Sequence, residues 1–390
     1  MQHVDLVIVG GGIVGLTLAA ALKHSELQIA VIDKTACYQM LSEKPTARVS
    51  AINQANIKAL KQYHVWQHLQ QDRANPYTDM HVWDKDSFGD ISFSCDEMGS
   101  EALGVIVENQ ALVNALSEAV EAQSNVQLVT AGIERVLAGP NQTMLMLDND
   151  DVISCRLLVG ADGGHSMVRK QAGLPITFKD YEHTAIVANI RTDKPHNNVA
   201  RQAFTPTGPL ALLPMVAPNV CSIVWSQTPE QANSLMALND DAFCNALTAA
   251  CNSVLGTAVL ETQRSAFPLT MRYARQWAKD GVVLVGDAAH TIHPLAGQGA
   301  NLGMQDALAL AETLTELSLA GKDIGLHKHL RSYERSRKTE AMKMIAAMDG
   351  FKFLFDGNDP LKKLVRGIGL SATDKLTAVK NAFVSHAMGL

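Results

Sequence analysis

The chain has 390 residues, 47% of them hydrophobic, which supports about two domains with large cores and excludes a disordered protein. A formal net charge of −6 argues against a nucleic-acid binder, which is normally basic. Six scattered cysteines with no C-x-x-C pair indicate neither a zinc site nor a disulfide framework, and fit a reducing cytoplasm.

Taken in chain order, the uncharged stretch Leu6 to Leu22 has a membrane-like composition. It lacks a basic leader, carries Gly10, Gly11 and Gly12 and falls short of the ~20 residues that a span needs. It reads instead as a strand (Asp5 to Val9), a glycine turn (Gly10 to Gly15) and the start of a helix (Leu16 to Lys23). With a second strand at Gln28 to Asp33 it makes a βαβ unit, which implies a parallel, doubly wound sheet. Met80 to Asp84 and Asp90 to Ser94 read as paired strands, Gln110 to Ala122 as a helix. Val126 to Thr130, Ile133 to Leu137, Thr143 to Leu147 and Val152 to Gly160 follow as strands.

From about Phe178 to Phe267 the pattern changes to antiparallel strands: Ala185 to Arg191, Arg201 to Thr205, Ala211 to Pro214 and Cys221 to Ser226. One helix, Asp240 to Ser253, sits among them. A buried strand at Val282 to Val285 and a helix over Leu302 to Leu317 resume the first pattern, and the chain is expected to be helical after Lys322. The layout expected is a discontinuous cofactor domain over 1–75, 106–177 and 268–350. A β-rich substrate domain, 76–105 and 178–267, is inserted into it, and 351–390 forms a C-terminal helical region.

Three turns carry chemistry. Gly10-x-Gly12-x-x-Gly15 has a strand before it and a helix after it, the context that a dinucleotide-binding turn requires. Gly10 permits the tight turn, Gly12 lets backbone approach a pyrophosphate, and Gly15 lets helix and strand pack closely. Asp33, closing the second strand, is placed to accept from an adenosine ribose hydroxyl. The motif does not distinguish NAD from FAD. Arg48, in Ala47 to Ile52, could pair with a pyrophosphate, face a substrate channel, or be an ordinary surface arginine.

The second turn, Gly160-Ala161-Asp162-Gly163-Gly164-His165-Ser166 with Arg169 beyond, places an acid where it can contact a cofactor or cap the following helix. Taken alone, the cap is the better reading. The third, Gly286-Asp287-Ala288-Ala289-His290, offers a carboxylate to a polyol hydroxyl. A helix beginning near Gly299 presents backbone N–H groups to negative charge. His290 and His293 invite a metal or general-base role, but no carboxylate-rich pattern surrounds them, and hydrogen bonding within the turn is the better reading. No second GxGxxG occurs, so a separate NADPH-binding Rossmann domain is not expected.

In this order, the three turns resemble the single-component FAD-dependent aromatic monooxygenases of the para-hydroxybenzoate hydroxylase type. Asp287 to Asn301 with Phe267-Pro268-Leu269-Thr270 is similar to the ubiquinone-biosynthesis hydroxylase branch. Phe204 to Pro214, Cys221 to Ser226, Gly321 to Gly325, Arg331 to Lys338 and Ala387 to Leu390 resemble the bacterial 2-polyprenylphenol hydroxylases within it. The resemblance covers essentially the whole chain. It implies an α/β fold: an FAD-binding, Rossmann-like domain of the glutathione-reductase type, with an inserted antiparallel β-sheet substrate domain and a helical C-terminus.

Carried over to this sequence, the resemblance makes Gly10, Gly12, Val14 and Gly15 the turn that holds the FAD pyrophosphate. Asp33 takes the adenosine ribose, although many relatives have the longer glutamate there. Arg48 and Gln110 contact the phosphate and ribityl side, and Asp162 belongs to an element serving both FAD and NADPH. Asp287 binds the ribityl chain, while Pro294, Gly297, Gln298, Gly299, Ala300 and Asn301 run along the isoalloxazine ring. No catalytic residue or metal ligand is assigned.

The chemistry implied is reduction of FAD by NAD(P)H, reaction with O2 to a C4a-hydroperoxyflavin, and hydroxylation of a prenylated phenol. Cytoplasmic location follows, with peripheral membrane contact or docking on other ubiquinone-biosynthesis proteins if Lys362, Lys363, Leu364 and Arg366 serve that purpose. An ordinary packed C-terminal helix with solvated lysines is the better reading of those four residues. A sister hydroxylase acting at another ring position, a non-turnover flavin scaffold and a flavin reductase remain as competing readings.

Overall fold

Leu6, Val7 and Ile8 are fully buried, so Gln2–Val9 (β1) is covered on both faces, as a central parallel strand must be. The computed structural model describes residues 2–86, 89–139, 142–292 and 298–355, except the side chains of Met98, Gln298 and 351–355. After the glycine turn comes Ile13–Ala21 (α1), then Ile29–Asp33 (β2), Val49–Asn53 (β3) and Gln54–Gln62 (α2). Asn53 caps α2, its side chain accepting from the Asn56 N–H. Ala74–Tyr77 (β4), Asp79–Asp84 (β5), Asp90–Ser94 (β6), Gly104–Glu108 (β7) and Asn109–Glu121 (α3) follow. α3 buries Leu112, Ala115, Leu116 and Ala119, the i, i+3, i+4, i+7 spacing of a one-faced helix.

Val126–Thr130 (β8), Ile133–Ala138 (β9), Thr143–Leu147 (β10) and Val152–Gly160 (β11) lead to the short helix Met167–Gln171 (α4). The second half begins with Ile176–Thr192 (β12), Val199–Thr205 (β13), Gly208–Pro214 (β14) and Val220–Gln227 (β15). Two helices, Pro229–Ala237 (α5) and Asp240–Ala250 (α6), precede Ala258–Leu260 (β16) and Ser265–Ala274 (β17). Ala278–Lys279 (β18), Val282–Leu284 (β19), His290–Thr291 (β20), Gln298–Leu319 (α7) and His327–Phe355 (α8) complete the described chain.

The first sheet has the order β18-β19-β11-β1-β2-β8. Its four central pairings, β19/β11, β11/β1, β1/β2 and β2/β8, are parallel, and β9 and β10 extend from β11 as an antiparallel hairpin. One core joins Leu6, Ile8, Leu157 and Val159 to α1, α3 and α7. The other joins Val7, Val9 and Ile32 to Val168, Trp277, Ala341 and Ile345. Helices on both faces make the sheet doubly wound, and its carboxyl edge is where such sheets bind ligands.

The second sheet has the order β20-β17-β12-β15-β14-β13-β5-β6, antiparallel except where β13 runs parallel to β5. Its residues alternate between two faces, apart from a register shift between Asp180 and His183 of β12. Ile186, Ala188, Leu210, Leu212, Ile223 and Trp225 face α5 and α6, while Ala211, Leu213 and Val224 face Ala51 and Ile106 of the first domain. A small third sheet, β3-β7-β4, stands between the two.

The structure departs from the sequence reading in several places, the unread strands β16, β17, β18 and β20 among them. α5 was not expected: Thr228 caps it and Pro229 opens it, but only Ala232 is buried, so it has no apolar stripe to read. β3, β4 and β7 form a sheet where no strands were expected. β12 and β17 pair from Ile176/Ala274 to Val187/Ser265, so one continuous ribbon straddles the borders expected at 178 and 267. α1 starts at Ile13 rather than Leu16, because Gly12 is already extended (φ −84°, ψ −174°) at its N-cap. No helix among the described residues is long and apolar enough to cross a membrane. Lys362, Lys363, Leu364 and Arg366 lie outside the described residues.

Candidate cofactor site

The three turns meet at the carboxyl edge of the first sheet. Gly10 has φ +113°, and a Cβ there would overlap the Ala161 carbonyl oxygen, so the first and second turns touch through backbone alone. A Cβ on Gly15 would overlap the Gly10 carbonyl oxygen. Gly12 differs: nothing lies within 4 Å of its Cβ position. No side chain caps α1, so the first N–H groups of a buried helix open onto the space above Gly12. Four such donors are left without intrahelical partners at any helix start, and that space suits a pyrophosphate.

Val14 was expected to touch the cofactor, but its side chain turns the other way. It packs where Cβ atoms on Gly286 and Gly303 would stand, at 3.1 and 2.7 Å. Val14 thus locks α1 to the third turn and to α7, leaving its backbone to the cleft. Asp33 Oδ2 accepts from the Gly11 N–H at 2.8 Å, and Oδ1 accepts from the Thr35 N–H and hydroxyl at 3.0 and 3.1 Å. The carboxylate stays half-buried with lone pairs open.

On the opposite wall the Asn109 N–H donates to the Arg48 carbonyl at 2.9 Å, which brings Arg48 beside Gln110. The Arg48 guanidinium is exposed and lies 5.2 Å from the Phe267 ring centroid. Gln110 Nε2 donates to the Cys37 carbonyl at 3.0 Å and to Asn114 Oδ1 at 2.9 Å. Burial and the Asp33 charge push the Cys37 thiol up to about 11, so it is an inert wall rather than a nucleophile.

The two acidic turns look alike in sequence and differ in space. Asp162 Oδ1 accepts from the Ser166 hydroxyl at 2.5 Å, and Oδ2 accepts from the N–H groups of Met167 and Val168 at 2.7 and 3.1 Å. Both oxygens therefore serve the start of α4, as the capping reading expected. Arg169, buried behind it, donates to the Ala288 carbonyl at 2.7 Å and the Gly164 carbonyl at 2.9 Å, tying the second turn to the third.

Asp287 has no hydrogen-bond partner for its carboxylate among the described residues, and it is exposed while Gly286, Ala288 and Ala289 are buried. Crowding by protein on its other sides raises its pKa, and the Asp306 charge adds to this; the charges of His290 and Arg272 oppose the rise. The carboxylate is exposed and makes no bond to the protein, so it is free to accept from the hydroxyls of a ribityl chain in place of water. Gly299, at the start of α7, likewise has open space at its Cβ position, and Ala300 beside it is half-buried.

The side chain of Asn301 is committed to the protein. Its Nδ2 donates to the Ala51 carbonyl at 2.7 Å, and its Oδ1 accepts from the Asn53 N–H and Asn56 Nδ2, both at 3.0 Å. The side chain pins α7 to β3 and α2, and Asn56 Nδ2 also donates to the Asn301 carbonyl at 3.2 Å. Pro294, Gly297 and His293 lie outside the described residues, as does the side chain of Gln298.

His290 does not bond within its own turn. Its Nε2 meets Asp306 Oδ2 on α7 at 2.5 Å, and its ring stacks on Trp277 with centroids 5.0 Å apart. Asp306 escaped the sequence reading because no local motif marks it, and Arg169 and Arg337 fell inside quoted segments without being given this role.

The open space at Gly12, the uncapped α1 and the unpaired Asp287 all fit FAD. The FAD binding domain model matches residues 3–348. The chain is 34% identical over its whole length to 3-demethoxyubiquinol 3-hydroxylase of Escherichia coli K12, covering 99% of that protein. It is 33% identical over 98% of its length to the mitochondrial ubiquinone biosynthesis monooxygenase COQ6 of Xenopus tropicalis, covering 93% of it. In fold it is similar to p-nitrophenol 4-monooxygenase PnpA of Pseudomonas putida, with a TM-score of 0.80 at 17% identity, all of this chain and 99% of that one being covered. What the turns and the cleft between them led us to expect is thus met along the whole described fold: the chain belongs to the FAD binding domain family and is an FAD-dependent monooxygenase that draws its electrons from NAD(P)H.

Proposed function

We propose that the chain hydroxylates the aromatic ring of a polyprenylphenol on the route to ubiquinone, a 2-polyprenylphenol being the substrate. The observation that carries this reading is end-to-end similarity to hydroxylases named for that route. Bound FAD supplies the redox chemistry, accepting a hydride from NAD(P)H and delivering one atom of O2 to the ring while the other leaves as water.

The residues then divide the remaining work. Gly10 to Gly15 and the start of α1 hold the pyrophosphate, and Asp33 holds the adenosine ribose. Asp287 takes the ribityl chain, with Arg48 and Gln110 on the other side, and residues 298–301 begin the helix beside the ring. Val49, Ala211 and Val224 are half-buried where the second sheet faces β3, and an apolar wall there excludes water from the reacting atoms. The segment before Arg48 is laid on this face, since Asn189 Nδ2 donates to the Pro45 carbonyl at 2.9 Å and Ser222 Oγ to the Ala47 carbonyl at 3.2 Å. A prenyl tail would leave along the apolar face, with the protein peripheral to a membrane.

A second reading, hydroxylation of a demethoxyubiquinol at another ring position, is favoured by the 34% identity to an enzyme of that name. Mass spectrometry of quinone intermediates in a deletion strain separates the two. The first predicts accumulation of a polyprenylphenol, the second of a demethoxyubiquinone, and unchanged quinone levels would overturn both. Incorporation of label from 18O2 distinguishes hydroxylation from a flavin scaffold or reductase.

A further inference from the structure

Asp306 lies on α7, fully buried, one residue back from the cleft. Its two oxygens have separate tasks. Oδ2 accepts from the Gly286 N–H at 3.1 Å and meets His290 Nε2 at 2.5 Å. Oδ1 accepts from Arg337 Nε on α8 at 2.7 Å. Gly286 and His290 are the two ends of the turn that carries Asp287, so a single oxygen grips the turn on both sides of that residue. Gly286 has φ +57°, a left-handed bend that glycine adopts without strain, and it aims the next side chain into the cleft.

The rest of the surroundings hold the grip in place. His290 is stacked on Trp277, Arg337 also reaches the Leu302 carbonyl at 3.4 Å, and the Tyr333 hydroxyl donates to the Leu284 carbonyl at 3.1 Å, just ahead of the turn. Burial opposes ionisation of Asp306, but the charges and hydrogen bonds of His290 and Arg337 outweigh it and hold its carboxyl below the usual carboxylate range.

We propose that Asp306 is a positioning residue for the flavin site: by holding Gly286 and His290 on one oxygen, it fixes the direction in which Asp287 presents its carboxylate to the cofactor. The inference rests on the reading that Asp287 contacts the flavin. Outer partners of this kind tune a site by orienting the group that touches the ligand.

The test is a double-mutant cycle read as the FAD dissociation constant of apoprotein, by quenching of flavin fluorescence. Asp306→Asn should weaken FAD about tenfold when Asp287 is present, and less than twofold in an Asp287→Ala background. His290→Phe, which keeps the stack on Trp277 but cannot donate to Asp306, gives the same cycle if Asp306→Asn does not fold. His290→Gln, which can still donate, should recover most of the affinity. If Asp306→Asn and His290→Phe weaken FAD equally with and without Asp287, the network is only structural and the proposal fails. If Asp287→Ala binds FAD as tightly as the natural protein, the reading of Asp287 fails, and the proposal with it.

Discussion

Gly12 and Gly15 are two glycines of one motif, and the structure predicts opposite consequences for an added methyl. At Gly12 the backbone is extended (φ −84°, ψ −174°), a conformation open to any residue, and nothing lies within 4 Å of the new Cβ. Gly12→Ala should change the stability of the apoprotein by less than about 1 kcal/mol, the gain from a less flexible unfolded chain being offset by alanine's poorer fit at an N-cap. The same methyl would project into the space assigned to the pyrophosphate, where overpacking costs about 1–3 kcal/mol, so FAD affinity should fall roughly 5- to 150-fold. At Gly15 the Cβ would lie well inside the 3.0 Å that real Cβ contacts essentially never breach, against the Gly10 carbonyl oxygen, which is backbone. Helix and turn must then separate, and Gly15→Ala should cost the apoprotein about 3 kcal/mol or more. Urea denaturation of the two apoproteins, beside a flavin fluorescence titration, measures both effects. The reasoning is refuted if Gly12→Ala binds FAD within twofold of the natural protein, or if its apoprotein loses several kcal/mol.

Asp287→Asn should weaken FAD binding yet stabilise the apoprotein at neutral pH, because it removes a carboxylate held above its ordinary pKa by crowding and by Asp306. The gain should stay below ~1 kcal/mol since solvent reaches the group, and thermal melts with and without FAD would show the crossover. Asn301→Ala should destabilise the apoprotein by about 3 kcal/mol, because the Asn53 N–H, the Ala51 carbonyl and Asn56 Nδ2 each lose a buried partner. A loss seen only with FAD bound would count against that.

His196 is buried. Its Nδ1 accepts from the Asn198 N–H at 3.0 Å while Nε2 donates to the Met215 and Ala217 carbonyls at 2.9 and 3.1 Å, which requires the neutral ring. Desolvation is the main cause of its lowered pKa; the two carbonyls oppose it and the Arg201 charge assists it. The unfolded chain therefore binds the proton first, and stability should fall as pH drops below ~6.5, by at most ~1.4 kcal/mol per pH unit for this one group. His196→Gln should flatten that part of the profile, and an unchanged slope in denaturant midpoints between pH 6.5 and 5 would refute the assignment.

The legible parts of the molecule were those governed by neighbours in sequence. Val126–Thr130, Thr143–Leu147 and Val152–Gly160 are apolar runs closed by turn residues, and their ends were readable to the residue. The glycine turn was readable for the same reason: tight bend, close approach and helix packing are decided within six positions. What was hidden depends on distant partners. Asn56 and Asn301 are separated by 245 positions, and neither carries a local mark of being half of a pair. β3 and β7 are nearly all buried, so they lack the polar alternation that reveals a half-exposed strand.

The two acidic turns show why a motif names a place before it names a role. Asp162 and Asp287 both follow a buried parallel strand, on neighbours β11 and β19, and both precede a bend toward a helix. What separates them is the residue three or four positions on. After Asp162 comes Ser166, which begins α4 and draws both carboxylate oxygens onto that helix. After Asp287 comes His290, which turns away to Asp306 and leaves no helix start for Asp287 to cap. The first acid is satisfied by the fold and the second is left to the cleft, at a cost in its own ionisation. A carboxylate that the fold leaves exposed and unpaired, beside a twin committed to a helix start, is the one free to exchange water for a ligand's hydroxyl donors. By that criterion Asp162→Asn should act first through loss of the α4 cap, about 0.5–2 kcal/mol of apoprotein stability, and Asp287→Asn first through the flavin. Denaturant midpoints and FAD dissociation constants for the two variants would exchange their ranking if the criterion is wrong.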